Sequence, residues 1–369
     1  MQKPEISPKQ GILLMVLFIE GTSFLMVMGL AAGRDIWLAY LIALAVSMVF
    51  ALMYARILSH GPGKDFFETL ESMTGKVWSR VILIPMAVYL LQFLTNVLKH
   101  FSQFIDSAGI PSAPPIVPYL GMGLLAVLAV YYGIEILGKW SEIFVYIVIA
   151  FSVISGLLLT RNMDFQHLLP LMREGVQPIG KGALQVISFP LCQVAAFLFV
   201  LPAFKDKKAP YKVFSWGLLI GFVLIFIVAL GDILVLGINQ MERLYYPSFT
   251  TLSIVKVGQF IQRLEIVAAT VFTLAVFVKA GIILIALCRV IGYILGLEEH
   301  RFLAAPVALL SINYGYIAYG SAMEFREWIR NFWPFFSSVF QLLIPLLIFI
   351  IFEFQAAKRK RKIGIGTNQ

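Results

Sequence analysis

Long apolar runs are the feature that most restricts how this chain can fold. A helix needs about 20 apolar residues to cross a bilayer, so each run of that length is a candidate membrane span. Ten such runs follow one another, at 11–33, 36–58, 80–102, 115–134, 142–160, 183–202, 212–238, 264–290, 302–319 and 332–353. Only 13% of the residues are charged, against roughly 25% in soluble domains. We therefore predict an all-α integral membrane protein with ten transmembrane helices.

The distribution of basic residues predicts the orientation. Of the 29 Lys and Arg residues, 18 lie in segments on the same side as the N-terminus and nine lie on the other side. The positive-inside rule then places both termini in the cytoplasm. We interpret the basic tail, 354–369, as a topology anchor that can also bind anionic membrane lipid. The net charge of +9 does not indicate a nucleic-acid partner, because the basic residues are spread over short loops.

Two of the ten spans are interrupted by residues that disfavour helix. The interruptions are Gly21-Thr22-Ser23 in span 1 and Ser188-Phe189-Pro190 in span 6. Breaks at matching places in two halves are typical of inverted-repeat transporters with a midplane binding site. We therefore predict a single domain with a five-plus-five inverted repeat, in which repeat one is 11–160 and repeat two is 183–353. The competing interpretation is that both breaks are simple kinks or packing contacts.

A broken helix exposes backbone groups that can bind a zwitterion. Amide groups freed after Gly21 suit a ligand carboxylate, and carbonyl groups freed near Pro190 suit an ammonium group. The side chains expected to contact the ligand besides those of the breaks are Tyr89, Gln92, Asn96 and Gln193. The first three share one face of span 3, although that face could instead serve only for hydrogen bonds between helices.

Charged residues inside the spans indicate a further network. Lys279 lies near the centre of span 8 and must be paired, solvated or deprotonated there. Glu20 adjoins the first break and is the predicted counter-charge. Asp232 lies near the outer end of span 7 and is expected to face the headgroups. In the external segment 239–263, the apolar positions after Pro247 predict an amphipathic helix on the outer face; they are Ile254, Val257, Ile261 and Leu264.

Motifs of catalysis and metal binding are missing from the sequence. It contains no metalloprotease motif, nucleophile elbow or phosphate-binding loop, so we expect no enzyme activity and no cofactor. The four histidines have no metal-ligand spacing, so we expect no metal site. Cys192 and Cys288 both lie inside apolar runs, which disfavours a structural disulfide.

Short motifs occur in a characteristic order along almost the whole chain. They are Ile6-Ser7-Pro8-Lys9-Gln10, Arg34-Asp35-Ile36-Trp37, Gly133-Ile134-Glu135 with Gly138-Lys139, Leu169-Pro170 with Gly175, Pro178-Ile179 and Gly182, then Ser188-Phe189-Pro190 and Tyr246-Pro247-Ser248. In this order the chain resembles the spore germination permease family, the B subunits of nutrient germinant receptors, within the amino acid/polyamine/organocation transporter group. In that family pattern, an acidic residue often stands three positions after the Phe-Pro pair. This chain departs from the pattern, because it has Gln193 at that position.

The resemblance implies a ligand-sensing receptor subunit for a small nutrient, often an amino acid, in the inner membrane of a bacterial endospore. It also implies ten spans in a five-plus-five repeat and two partners, a larger membrane A subunit and a lipoprotein C subunit. Two alternatives stay open at this point. One is an amino-acid transporter coupled to cations or protons, and the other is an ion-conducting subunit of a nutrient-gated channel.

Overall fold

The chain folds into packed helices. A computed structural model describes residues 6–61, 63–108, 114–173, 175–254 and 264–366, with side chains to Lys358, and these residues contain no strand. The α-helices are α1 (Pro8–Ser23), α2 (Ile36–Ser59), α3 (Phe66–Thr74), α4 (Lys76–Ala108), α5 (Ile116–Tyr132), α6 (Ile134–Leu159), α7 (Val176–Ser188), α8 (Ala209–Leu236), α9 (Ile238–Met241), α10 (Pro247–Ile254), α11 (Leu264–Leu295), α12 (Ala304–Ile317), α13 (Ala322–Glu327), α14 (Trp333–Ser338) and α15 (Ile344–Gly366). Two π-helical turns join α13 to α14 and α14 to α15, so these three form one long element.

Several helices are long and apolar enough to cross a membrane. Within the described ranges there are seven: Leu30–Ser59, Lys76–Ser107, Ile134–Asn162, Val176–Phe199, Ala209–Leu236, Leu264–Leu295 and Ala322–Lys358. The predicted spans 1, 4 and 9 correspond to the shorter helices α1, α5 and α12, of 16, 17 and 14 residues. The chain is thus an integral membrane protein, with three predicted spans shorter than the hydropathy pattern indicated.

Some helix boundaries differ from the prediction because apolar runs do not mark where a helix begins. α6 begins at Ile134 instead of residue 142, and its first turns carry Glu135 and Lys139. The last helical element begins at Ala322 instead of residue 332 and continues beyond the predicted start of the tail. Amphipathic α3 was not predicted. Of the predicted external amphipathic helix, α10 is present, whereas 255–263 lie outside the described residues.

The predicted breaks are present in the backbone. α1 begins with a capping box, in which Ser7 Oγ accepts from the amide of Gln10, and it ends at Ser23. The next residues are not helical, and Gly29 has a φ of 87°, which an L side chain rarely adopts. α7 ends at Ser188, where the following Phe189 is extended and lies before Pro190.

The helical segment after the first break begins later than predicted. It is the 3-10 helix Leu30–Asp35, not an α-helix starting directly after Ser23. The amide of Ala31 donates to Gln185 Oε1 of α7 at 3.3 Å. The second broken segment thus supplies the acceptor for Ala31, and the role of the amides freed directly after Gly21 stays a prediction.

Helix α11 forms the centre of the molecule. Every residue from Ala275 to Cys288 is buried, and α11 packs against α1, α4 and α5. A helix that is apolar on all sides is expected where other helices surround it. Its one charged residue in this stretch, Lys279, therefore lies deep inside the protein.

The contacts between helices define two ends of the bundle. Arg56 pairs with Glu353 at 2.6 Å, and Arg289 pairs with Asp65 at 3.0 Å, at the end that holds the start of α1. We call this the terminus side. At the opposite end, the far side, Tyr246 Oη donates to the carbonyl of His100 at 2.9 Å.

Asp232 lies inside the protein and not among the headgroups, so that prediction is wrong. Its side chain is 1% exposed, and Ser248 Oγ of α10 donates to Asp232 Oδ2 at 2.5 Å. Because α10 folds back over the end of α8, it covers a carboxylate that hydropathy alone placed at the interface.

Candidate functional site

Lys279 joins the two broken segments. Its Nζ donates to Thr22 Oγ1 at 3.1 Å, in the first break, and to Gln193 Oε1 at 2.7 Å, just after the second. The side chain is fully buried. Because an ammonium group has three donors, one N–H is left without an oxygen acceptor among the described residues.

Aromatic rings surround the same ammonium group. Nζ lies 5.1 Å from the ring centroid of Phe18, 5.1 Å from that of Phe189 and 5.6 Å from that of Phe93. A cation within about 6 Å of a ring face is attracted by the ring quadrupole. The rings therefore stabilise the charge only in part, since they supply no hydrogen-bond acceptor.

Glu20 is buried beside this group but makes no hydrogen bond to it. Its side chain is 0% exposed, and neither carboxylate oxygen has a hydrogen-bond partner in the described part of the chain. The charges of Glu20 and Lys279 still interact through space. Glu20, the predicted counter-charge, thus lies near Lys279 without a hydrogen bond to it, and Lys279 bonds to two neutral side chains instead.

Gly21 is the residue on which Lys279 packs. A Cβ atom at this position would lie 2.5 Å from Lys279 Cδ and 3.0 Å from Lys279 Cβ. No side chain larger than hydrogen fits unless the lysine moves. The sequence indicated Gly21 as a helix breaker, and the structure adds close packing against the buried charge.

The second break is held by a residue that sequence reasoning missed. Gln341 Nε2 donates to the carbonyl of Ser188 at 3.1 Å and to Tyr89 Oη at 2.8 Å. The Ser188 carbonyl, predicted to be free for a ligand ammonium group, thus already has a donor. The sequence feature that could have identified this residue is the position of Gln341 as the sole polar residue in the apolar stretch VFQLLIPLL.

The predicted polar face of span 3 divides between two neighbourhoods. Tyr89 faces Gln341, whereas Gln92 Nε2 donates to Asn96 Oδ1 and to Tyr319 Oη, both at 2.8 Å. Tyr319 in turn donates to Asn96 Oδ1 at 2.9 Å. None of the bonds of Gln92 or Asn96 reaches Lys279.

The structure therefore brings together part of the predicted set. The predicted site residues that lie around Lys279 are Gly21, Thr22, Phe189 and Gln193. Ser23 is buried, and its hydroxyl lacks a partner within the described ranges. His100, passed over in the sequence, is 1% exposed, lies 5.9 Å from the Phe189 ring, and has no hydrogen-bond partner there for either ring nitrogen.

No group of three or more His, Cys, Asp or Glu side chains that could hold a metal ion occurs in the described residues. Cys192 and Cys288 are free and buried. The chemistry of the cluster is instead that of two buried opposite charges, each lacking part of its hydrogen bonding.

The fold that holds this cluster resembles that of solved membrane transporters. The chain is similar over 94% of its length to Mhp1, a nucleobase-cation-symport-1 family transporter solved in a closed conformation with bromovinylhydantoin bound. The TM-score is 0.69, the identity is 11%, and 78% of that chain is covered. A manganese transporter of Eremococcus coleocola matches with a TM-score of 0.58 and 13% identity, over 94% of this chain and 84% of the other. At such identities the likeness shows the fold alone.

The sequence comparison identifies the family. The family model described as spore germination protein matches residues 5–319, and the chain belongs to that family. Spore germination protein KB of Bacillus subtilis is 24% identical over 99% of both chains. Spore germination protein XB of Bacillus anthracis is 20% identical over 69% of this chain and 70% of its own.

Proposed function

We propose that this protein is the ligand-sensing subunit of a nutrient germinant receptor and binds a small nutrient such as an amino acid between broken helices 1 and 6. The observation that carries the proposal is the position of Lys279, whose ammonium group bonds to Thr22 at one break and to Gln193 beyond the other. A ligand bound there contacts both segments at once. It can thereby change their relative position, which is what a receptor needs.

The ligand class follows from the two buried charges. Lys279 has one N–H without an acceptor, and Glu20 has no hydrogen-bond donor among the described residues. A zwitterionic amino acid carries a carboxylate for the first and an ammonium group for the second. This pose replaces the predicted one that relied on freed backbone groups. Because Glu20 and Lys279 are fully buried, the ligand enters when the surrounding helices open.

The proposal includes ten membrane spans in a five-plus-five inverted repeat, comprising 11–160 and 183–353. The two breaks support it, since α1 and α7 end at Ser23 and Ser188 and occupy the first and sixth predicted positions. The excess of basic residues on the terminus side supports cytoplasmic termini. We place the protein in the inner membrane of the endospore, with a membrane A subunit and a lipoprotein C subunit as partners.

A working amino-acid transporter is the second candidate. The observation that favours it is the similarity of the whole fold to solved transporters, one of them in a closed conformation with a ligand bound. An ion-conducting subunit of a nutrient-gated channel is the third candidate. All three use the same central site, so they differ only in what crosses the membrane.

The test is binding and uptake of radiolabelled amino acids by the purified chain, measured on the same liposome sample. Saturable binding without uptake supports a receptor, and concentrative uptake supports a transporter. Ligand-triggered ion flux in the assembled complex supports a channel. Lys279→Met should abolish binding, whereas Lys181→Met, at an exposed position of α7, should leave it unchanged. Binding that survives Lys279→Met would contradict the site.

A further inference from the structure

A pocket opens on the far side, away from Lys279. It has a volume of about 340 Å³ and lies between α4, the end of α12 and the α13 segment. Its wall includes Gln92, Tyr319, Glu324, Glu327, Trp328 and Phe332. Pockets of about 300–1,000 Å³ are large enough for small organic ligands.

The wall of the pocket is negatively charged, because the acidic side chains of the α13 segment line it and the basic side chains point elsewhere. Glu324 and Glu327 line the pocket. Arg326 is turned toward the chain before α10, where it donates to the carbonyls of Glu242 and Leu244, the latter at 2.8 Å. Arg330 donates to the Glu242 carbonyl at 3.4 Å. The pocket thus attracts cations.

Aromatic rings form another part of the wall. The Trp328 ring lies 6.0 Å from Phe332 and 6.4 Å from Tyr319, measured between centroids. Ring faces attract cations, and quaternary ammonium groups are commonly recognised by aromatic cages. Two carboxylates and an amide also suit a hydrated metal ion, but such an ion makes no use of the ring faces, which favour an organic ammonium group.

Polar atoms without partners lie in the same wall. Gln92 is 7% exposed, and its Oε1 accepts no hydrogen bond from the described residues, since its bonds to Asn96 and Tyr319 use Nε2. Trp328 Nε1 is also buried without an acceptor in those ranges. Buried polar atoms are normally hydrogen-bonded, so Trp328 Nε1 is an unusual group in this wall, and Gln92 Oε1 is an acceptor that a ligand with a polar group of its own can use.

We propose that this pocket binds a small organic ammonium cation that also carries a hydroxyl or similar polar group. Glu324 and Glu327 supply the counter-charge, the rings of Tyr319, Trp328 and Phe332 surround the ammonium group, and Gln92 Oε1 accepts from the ligand. The site is separate from the one between the broken helices. It can therefore be occupied whether or not an amino acid binds at Lys279.

Lys99 gives the proposal an independent test. Its half-buried Nζ lies 6.0 Å from the Tyr319 ring centroid, and its charge interacts with that of Glu324. It thus competes with a bound cation for the same ring and carboxylate. Removing its charge should strengthen binding, an effect opposite to that of removing a carboxylate.

The probe is choline, and its control is 3,3-dimethylbutan-1-ol, which has the same shape and hydroxyl group without the charge. Binding is measured on the full chain in phosphatidylglycerol nanodiscs. We expect saturable binding of choline only. Glu327→Gln and Trp328→Leu should weaken it at least fivefold, and Lys99→Gln should strengthen it about threefold. The controls Glu298→Gln and Trp216→Leu, both at exposed positions, should leave it unchanged.

Three results would overturn the proposal: no saturable choline binding, equal binding of the neutral alcohol, or unchanged affinity in folded Glu327→Gln and Trp328→Leu. Choline binding should survive Lys279→Met, so failure here is distinct from failure of the amino-acid site. Phosphatidylcholine nanodiscs identify the source of the cation. Competition by that lipid supports a lipid headgroup as the natural ligand, and equal choline binding in both lipids supports a free cation.

Discussion

Lys279 Nζ lies 2.7 Å from Gln193 Oε1, although the two residues are 86 positions apart in the chain. With the bond to Thr22 at 3.1 Å, this contact makes one buried ammonium group the connection between both breaks. A neutral acceptor here has a physical consequence. In the proposed site, Gln193 leaves an N–H of Lys279 for a ligand carboxylate, whereas a glutamate at position 193 would place a second carboxylate near Lys279 besides Glu20.

Charge balance in the cluster predicts coupled effects of Glu20 and Lys279. Lys279→Met leaves the Glu20 carboxylate buried without a compensating charge, so we expect the free energy of unfolding to fall by about 3 kcal/mol. Adding Glu20→Gln should recover part of that loss. Thermal unfolding in detergent measures both, and strictly additive effects would show that the two charges do not interact.

The Thr22 hydroxyl is predicted to support ligand binding more than folding. Thr22→Val keeps the shape and removes the acceptor for Lys279, so amino-acid affinity should fall roughly tenfold, equivalent to one hydrogen bond of about 1.4 kcal/mol. Equilibrium binding provides the measurement. Thr270→Val, at an exposed position of α11, is the control. Equal affinities of both variants would exclude a role for Thr22.

The Gln193 side chain is predicted to influence which nutrient is recognised. Gln193→Leu removes an acceptor from Lys279 and the amide available to a ligand side chain, so the order of preference among amino acids should change. Competition binding with a panel of amino acids gives that order. An unchanged order in a normally expressed variant would place the ligand side chain elsewhere.

The close packing at Gly21 predicts that even a substitution by alanine lowers the stability of the protein. Gly→Ala within a helix normally stabilises by about 1 kcal/mol. Gly21→Ala should instead destabilise by about 1–3 kcal/mol, because the added Cβ would lie 2.5 Å from Lys279 Cδ. Gly121→Ala in α5 is the matched control, since nothing lies within 4 Å of its added Cβ. Thermal unfolding of both variants distinguishes steric conflict from helix propensity.

Asp65 has two roles on the terminus side that substitutions can separate. Its Oδ1 caps α3 by accepting from the amide of Glu68 at 2.8 Å, and its Oδ2 pairs with Arg289. Asp65→Asn keeps a good cap and loses the ion pair to the largely buried Arg289, so stability should fall by about 1–3 kcal/mol. Asp65→Ala should cost about 1 kcal/mol more. Denaturant unfolding would contradict this if both variants were equally stable.

The chain sequence by itself determined the membrane class, the family resemblance and the positions of both breaks. These features depend on local chemistry. Long apolar runs are more stable in a bilayer than exposed to water. Pro190 lacks an amide proton and so interrupts a helix. Gly21 weakens α1, which ends two residues later. Boundaries such as Ile134 and Ala322 were predicted less well, because polar residues can occupy helix ends that extend beyond the apolar run.

Only the tertiary structure decided which side chains meet. Lys279 bonds to Gln193 and Thr22 and not directly to Glu20, and Asp232 is covered by Ser248 of α10. Gln92 and Asn96 join Tyr319, 227 and 223 positions away in the chain. Such pairs depend on how helices rotate and pack against one another. That arrangement is set by many contacts distributed along each helix, and no short stretch of sequence contains it.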